Sequence, residues 1–301
     1  MKLITWNVQW FCGIDDVVSV ERIVNEAQAF AGPGGFDVIC MQEVAVNYPG
    51  LPGGAAFDQP AALRKLLPGY QVFFGAAVDE FTAAGHQQFG NLIATRLPVL
   101  QVQHHALPYP ADTTPGGVRS MPRMATCVTV QDPALGPLRL YSTHLEFYSP
   151  TQRMAQLEAL RDLHAQACAQ AAHPPAPDAT GWPFQNKTHT TQAIFCGDWN
   201  FEPHSAEYQR IQEPFSPYAS ASTSFVATNS VASRLLDAWP VVHGDRPHEP
   251  SFRLFDRRYG PVPITCDFAF VSEGLAPRVR QVVTQLETTA SDHQPVLIEL
   301  R

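Results

Sequence analysis

Short apolar runs that stop abruptly on polar clusters recur from one end of this chain to the other, and that pattern limits the fold more than any other feature. The runs at 3–6, 38–41, 71–74, 92–95, 99–103, 125–130, 138–143, 193–196, 265–271 and 296–300 have the length and Val, Ile, Leu and Phe content of strands. Gly and Pro punctuate the stretches between them. Few helical patterns interrupt the series. Ser19 stands as N-cap before Val20, Ile23, Val24, Ala27 and Ala31, an i, i+3, i+4 stripe that predicts a helix with one face on a sheet. Ser149-Pro150-Thr151-Gln152 opens a second helix, with proline at its first position, that continues through Met154, Leu157, Leu160 and Leu163. Shorter helices are expected over 59–67 and from Ser205, and the Pro- and Thr-rich stretch 173–191 reads as a surface loop. Strands this numerous, with helices in both halves, predict an α/β fold: a four-layer αββα sandwich of two packed, mixed but mainly antiparallel sheets flanked by helices. One domain is expected over 1–301.

Composition narrows the class. Of 301 residues, 45% are hydrophobic and 16% charged, enough apolar surface to exclude a disordered chain. No apolar run approaches the roughly 20 residues a spanning helix needs, so an integral membrane protein is not expected. The first residues pass straight into a strand pattern, from which no export signal is expected. Cys12, Cys40, Cys127, Cys168, Cys196 and Cys266 lack C-x-x-C spacing, which suggests reduced thiols acting as small hydrophobes and a cytoplasmic setting. A formal net charge of −8 argues against holding nucleic acid by bulk electrostatics, although a divalent cation can bring phosphate to carboxylates. Without heptads or an apolar surface helix, a monomer is expected.

The polar clusters carry the chemistry. In chain order they are Trp6-Asn7, Gln42-Glu43, Thr143-His144-Leu145, Gly197-Asp198-Trp199-Asn200, Cys266-Asp267 and Ser291-Asp292-His293. Together they offer a hard oxygen ligand for Mg²⁺, a group to orient water and donors for charge developing on phosphoryl oxygens. Glu43 would emerge from a buried strand, where ionisation is costly unless a cation or donors compensate. Asp198 and Asn200 face one way if the extended conformation persists between them; the competing reading is an Asx turn after a strand. His144 and His293 can shuttle a proton or, when protonated, stabilise an anion. A carboxylate from Asp267 would fix the tautomer of His293, and Asp292 can reach a metal directly or through water.

These motifs, in this order, together with Phe89-Gly90-Asn91-Leu92-Ile93-Ala94-Thr95-Arg96-Leu97-Pro98 and Asp292-His293-Gln294-Pro295-Val296, resemble the endonuclease/exonuclease/phosphatase superfamily of deoxyribonuclease-like, metal-dependent phosphoesterases. The resemblance spans almost the whole chain. It implies an active site in a groove where both sheets end. It further implies that Asn7 and Glu43 hold Mg²⁺, with Mn²⁺ as substitute, and that Asp292 assists. Asp198 would align or deprotonate water, Asn200 and His144 would contact the scissile phosphate, and Asp267 with His293 would stabilise the transition state or act as base. Arg123, Arg153 and Asn91 resemble recurrent positions that touch substrate, with bracing of the structure as the competing role; Gln156 accompanies Arg153 one helical turn on.

Two departures bear on substrate. Thr265-Cys266-Asp267-Phe268 stands in place of the more usual Arg-Ile-Asp-Tyr, which removes a positive charge and a phenol from the site. Val44 follows Glu43 where apurinic-site endonucleases commonly have Thr, and no basic duplex-gripping insertion is apparent. The expected activity is in-line water attack on a phosphoester by a nuclease or DNA-end phosphodiesterase, with Trp10, Phe11, Trp199, Phe201, Tyr148 and Arg119 available to stack bases and track backbone. The alternative is a phosphatase or phospholipid-headgroup phosphodiesterase, with the loop 109–120 as a pocket wall. Partners are accordingly a phosphodiester or phosphomonoester, DNA among the candidates. A binding module without turnover would have lost Glu43 or His293, and both are present.

Overall fold

The structure, a computed structural model, describes residues 1–176, 178, 180, 184, 187–215 and 232–301; the predicted loop at 173–191 lies partly outside them. The first half runs β1 (Lys2–Asn7), α1 (Val20–Ala31), β2 (Val38–Tyr48), β3 (Ala55–Asp58), α2 (Gln59–Leu66), β4 (Gln71–Thr82), β5 (Gly85–Thr95), β6 (Val99–Ala106), β7 (Met124–Asp132) and β8 (Gly136–His144). It continues through α3 (Pro150–Ala172), β9 (Ala193–Asp198), α4 (Ala206–Gln212), β10 (Leu235–Asp237), α5 (Ala238–His243), β11 (Asp267–Ser272), β12 (Val279–Thr284) and β13 (Val296–Leu300).

One sheet has the order β12-β13-β1-β2-β5-β4, with β3 on the far part of β2; the other has the order β10-β11-β9-β8-β7-β6. Among the described residues only β1 with β2 and β8 with β9 pair in parallel, and α1 and α3 are the crossover helices those two parallel pairs require. The rest of the pairing is antiparallel, so the sheets are mixed and mainly antiparallel as the sequence pattern predicts.

Alternation along the strands divides the core. Leu3, Val38, Cys40, Ile93, Val128, Leu140, Ile194, Val271 and Ile298 point between the sheets into one cluster. Their neighbours Ile4, Ile39, Met41, Leu92 and Leu297 face Ile23, Val24, Ala27 and Leu63 of α1 and α2. On the far side Tyr141, Phe195, Phe268 and Phe270 meet Leu157 and Leu160 of α3 and Tyr208 and Ile211 of α4. These three cores are the interfaces of a four-layer αββα sandwich. The predicted caps form: Ser19 accepts from Arg22 N, Ser149 from Gln152 N and Ser205 from Tyr208 N. All six cysteines are buried and unpaired.

The runs at 71–74 and 92–95 lengthen to 71–82 and 85–95, and two further strand predictions need correction. The run at 38–41 continues to Tyr48, bending at Glu43, where φ is 60° and the register with β5 shifts between Met41 and Val44. Thr265 and Cys266 lie before β11, since pairing with β9 begins at Asp267 opposite Asp198. Registers of this kind place the site. Asn7 is opposite Gln42, His144 opposite Asp198, and Asp198 opposite Asp267, which brings the ends of β1, β8 and β9 and the start of β11 to one edge of the sandwich. Gly197 is required there: at φ 147° it lies so close to β8 that a Cβ would sit 1.8 Å from the Thr143 carbonyl oxygen.

Candidate active site

Asn7 lies at the centre of the edge. Its Nδ2 donates to Glu43 Oε1 at 3.1 Å and to Asp198 Oδ2 at 3.0 Å, and its Oδ1 accepts from the Gln9 amide at 3.1 Å. Asp198 Oδ2 also faces His144 Nε2 at 3.4 Å and His293 Nε2 at 3.6 Å, while Oδ1 accepts from Asn200 N. On the other side of its ring, His293 Nδ1 meets Asp267 Oδ2 at 2.9 Å. The Ser251 hydroxyl donates to the same oxygen at 2.7 Å, and Asp267 Oδ1 has no partner among the described residues. The last segment is fastened to β1: Trp6 Nε1 donates to the His293 carbonyl, and Ser291 Oγ to the Asn7 carbonyl.

The electrostatics follow from burial. Removal from water raises the carboxyls of Glu43 and Asp198, and pushes that of Asp292 up to about 7. Burial, with the charges of Arg123 and His293, holds His144 well below the usual imidazole range, so it faces the groove neutral. His293 behaves in the opposite way. Burial lowers it, but the carboxylates of Asp267 and Asp198 outweigh that penalty and raise it to about 10. One imidazolium thus sits among several buried carboxylates whose charge is poorly compensated, the environment in which a hard divalent cation is most favourable. The oxygens of Glu43 and Asp292 fit such an ion. Asn7 spends its oxygen on Gln9 and bridges Glu43 to Asp198 through its nitrogen.

The groove has a volume of about 530 Å³ and is lined by Glu43, Arg123, His144, Asp198, Asn200, Asp292 and His293. Asp267 lies behind His293. Asn200, at φ 52°, makes an Asx turn on Asp198, so the extended tripeptide does not form; its Nδ2 donates to the Leu145 carbonyl at 2.9 Å. Arg123 is held by Glu146 Oε2 at 3.3 Å, and its buried Nη1 has no partner among the described residues. Two predicted substrate contacts stand apart from the groove lining. Asn91 donates to the Met124 carbonyl and ties β5 to β7, and Arg153 is engaged by Glu207 and the carbonyls of Glu146 and Phe147.

Three of the six side chains expected to stack bases and track backbone are misplaced. Phe11 and Trp199 are fully buried and Phe201 nearly so, because each turns into a helix-facing core, whereas Trp10, Tyr148 and Arg119 do line the groove. Tyr48, Phe89, Phe147, Phe252 and Tyr259 complete its apolar walls, and the loop 109–120 contributes Arg119 and Ser120. Trp10 is fixed there by unusual backbone. Gln9, Trp10 and Phe11 all have positive φ, near 45°, 44° and 62°, a strained turn held by Gln59 Nε2 on the Trp10 carbonyl and by Trp10 Nε1 on the Pro52 carbonyl.

Sequence reasoning missed Ser251, Phe252 and Glu146. Phe252 stacks on the His293 ring at 4.2 Å between centroids and 18° between planes. Its segment touches the fold through isolated bridges to Ile264 and His293, so no strand periodicity marks it. The only available signal was Ser251-Phe252, a hydroxyl beside an aromatic shortly before Asp267.

Residues 4–293 match the model of the Endonuclease/Exonuclease/phosphatase family. Comparison with curated proteins finds no match. Among solved structures, an endonuclease/exonuclease/phosphatase from Beutenbergia cavernae DSM 12333 is 25% identical, with a TM-score of 0.68 over 100% of this chain and 71% of that one. The mannosyl-6-phosphatase Bt3783 of Bacteroides thetaiotaomicron VPI-5482 is 15% identical, TM-score 0.61, covering 100% of this chain and 99% of that one. The human Nocturnin catalytic domain, solved with a sulfate anion, is 19% identical, TM-score 0.61, over 100% and 94%. The family match over nearly the whole length, on a sandwich of this topology, establishes that the chain belongs to the endonuclease/exonuclease/phosphatase family of hydrolytic phosphoesterases.

Proposed function

We propose that this chain is a divalent-metal-dependent hydrolase of compact phosphoesters, with Glu43 and Asp292 as the residues that hold the cation. The observation that carries the reading is the gathering of Glu43, His144, Asp198, Asn200, Asp292 and His293 on one groove, backed by the Asp267 pair. Bound Mg²⁺, or Mn²⁺ in its place, supplies positive charge against phosphoryl oxygens. Asp198 holds and deprotonates the attacking water for in-line displacement. His293, oriented by Asp267, donates to the developing charge, and neutral His144, Asn200 and the spare Arg123 Nη1 bind phosphoryl oxygens. Positioning and fixed dipoles do most of the work in phosphoryl chemistry of this type.

The walls favour a small substrate. Two arginines face four carboxylates in the lining, and aromatic and aliphatic side chains supply most of the remaining surface. Tracking a long polyanion needs a cationic path, and this groove has none among the described residues. A DNA-end or single-strand phosphodiesterase is the second reading, favoured by Trp10, Tyr148 and Arg119 in the lining.

The test is a substrate panel in Mg²⁺: sugar phosphates and other small monoesters, sphingomyelin, RNA, single-stranded DNA, and nicked and abasic duplex. Small phosphoesters should turn over fastest. Preferential cleavage of duplex would overturn the compact-substrate reading, and no hydrolysis of any member would overturn the enzyme.

A further inference from the structure

Cys266, one residue before the dyad carboxylate, is where the sequence departs from the run expected around Asp267. It is 1% exposed and lies behind the groove. Its Sγ stands 3.6 Å from Asp267 Oδ2 and 4.0 Å from His293 Nδ1, and those two atoms are 2.9 Å apart. A carboxylate oxygen of Asp198, the sulfur of Cys266 and a ring nitrogen of His293 all lie within 4.8 Å of one another. In a tetrahedral zinc site, with bonds of about 2.0 Å to N and O and about 2.3 Å to S, neighbouring donors are separated by about 3.3–3.7 Å. The triangle of Cys266 Sγ, His293 Nδ1 and Asp267 Oδ2, with sides of 3.6, 4.0 and 2.9 Å, needs movements of about 0.5 Å or less to meet that spacing. Asp267 has a second oxygen, Oδ1, buried and without a partner among the described residues.

We propose that Cys266, Asp267 and His293 Nδ1 form an inhibitory site for a thiophilic d¹⁰ cation, Zn²⁺ above all, separate from the hard oxygen donors Glu43 and Asp292. Softness separates the two. Thiolate and imidazole select Zn²⁺ and Cd²⁺ over Mg²⁺, which prefers carboxylate and water. Binding releases the Cys266 thiol proton and the His293 Nδ1 proton to solvent, so the cation takes the place of the proton that joins His293 to Asp267. Inhibition results from dismantling the dyad, with no need to block the groove. The ion enters past Asp198 and His293, both of which line the groove.

The inhibition arm of the test rests on the phosphoesterase reading; the spectroscopic arm does not. Cd²⁺ added to the Mg²⁺-loaded protein should produce the ultraviolet cadmium–thiolate charge-transfer band, and Cys266→Ser and Cys266→Ala should abolish it. Zn²⁺ should suppress Mg²⁺-supported hydrolysis of the wild type, and at least about tenfold more Zn²⁺ should be needed in either variant, the loss expected when one ligand of a metal site is removed. Both variants should keep Mg²⁺-supported rates within about threefold of wild type, since serine and alanine leave the dyad hydrogen bond intact. No band in the wild type, a band that persists in both variants, or equal Zn²⁺ sensitivity of all three proteins would overturn the site. If no substrate is hydrolysed, the functional reading fails and the band alone still decides the site.

Discussion

The molecule builds the same small device twice. At the groove, Asp267 Oδ2 receives His293 Nδ1 at 2.9 Å and the Ser251 hydroxyl at 2.7 Å. Beneath α4 and α5, Asp237 Oδ2 receives His248 Nε2 at 2.6 Å and the Tyr208 hydroxyl at 2.7 Å. Each imidazole stacks on an aromatic ring, His293 on Phe252 and His248 on Trp239. The difference lies in what the remaining atoms touch. Asp237 spends its other oxygen on the Trp239 amide and so caps α5. Asp267 leaves its other oxygen without a partner among the described residues, and the far nitrogen of His293 faces Asp198 in the groove. A carboxylate, an imidazole and a hydroxyl therefore do not by themselves make a catalytic group. What sets the groove pair apart is the presence of further buried carboxylates beyond the ring, since His248 also borders a cavity, with Glu202 and His204 in its lining.

Removing the two imidazoles should separate the devices most sharply. His293→Ala is expected to lower kcat by about 10³-fold or more, the range for loss of an acid–base group. His248→Ala should leave kcat within about twofold and cost about 1–3 kcal/mol of stability, as loss of a buried polar contact does. Initial rates in Mg²⁺ and urea denaturation of both variants measure this; comparable kcat losses would break the comparison. Chelation sharpens it from the other side. EDTA should abolish hydrolysis, and Mg²⁺ restore it, while the urea midpoint of the Asp237 region, read by Trp239 fluorescence, stays almost unmoved. Full activity in EDTA would remove the cation from the reading, and Glu43→Ala should mimic the chelator.

At the next level of effect, the hydroxyls can be compared. Ser251 orients Asp267 without touching the groove, and Ser251→Ala should lower kcat by about 10–100-fold with little change in KM, as outer partners of such pairs do. A loss shared equally between kcat and KM would assign Ser251 to substrate binding instead.

How much of this was legible beforehand differs between the two sheets and their edge. The strand interiors and the helix caps are local patterns, so 3–6, 138–143 and the Ser149 cap fell where periodicity and capping chemistry put them. The edge is not local. Glu43 adopts φ 60° and Asn200 φ 52°, and at both places the two-residue period that predicts side-chain direction lapses. Trp199 and Phe201 stand beside Asp198 and so resemble groove residues, yet they turn into the α3 and α4 core. Strand β10 has three residues and β3 follows a Gly pair, too little for a period to register. Ser251 and Phe252 reach the site only because the chain from 249 to 264 folds back on His293, a contact that no short window contains.

The smallest effect tests the second device alone. Tyr208 is buried among Phe201, Phe268 and Phe270, so Tyr208→Phe keeps its packing and deletes one hydrogen bond to a carboxylate. Asp237 retains His248 and its cap on α5. The expected cost is about 1.5 kcal/mol in urea denaturation, the value of a single bond to a charged group, with kcat unchanged. If Tyr208→Phe slowed turnover as much as Ser251→Ala, the two devices would be coupled through β11, which pairs with β10 at Asp237 and begins at Asp267, and the division between scaffold and site would have to be redrawn along that strand.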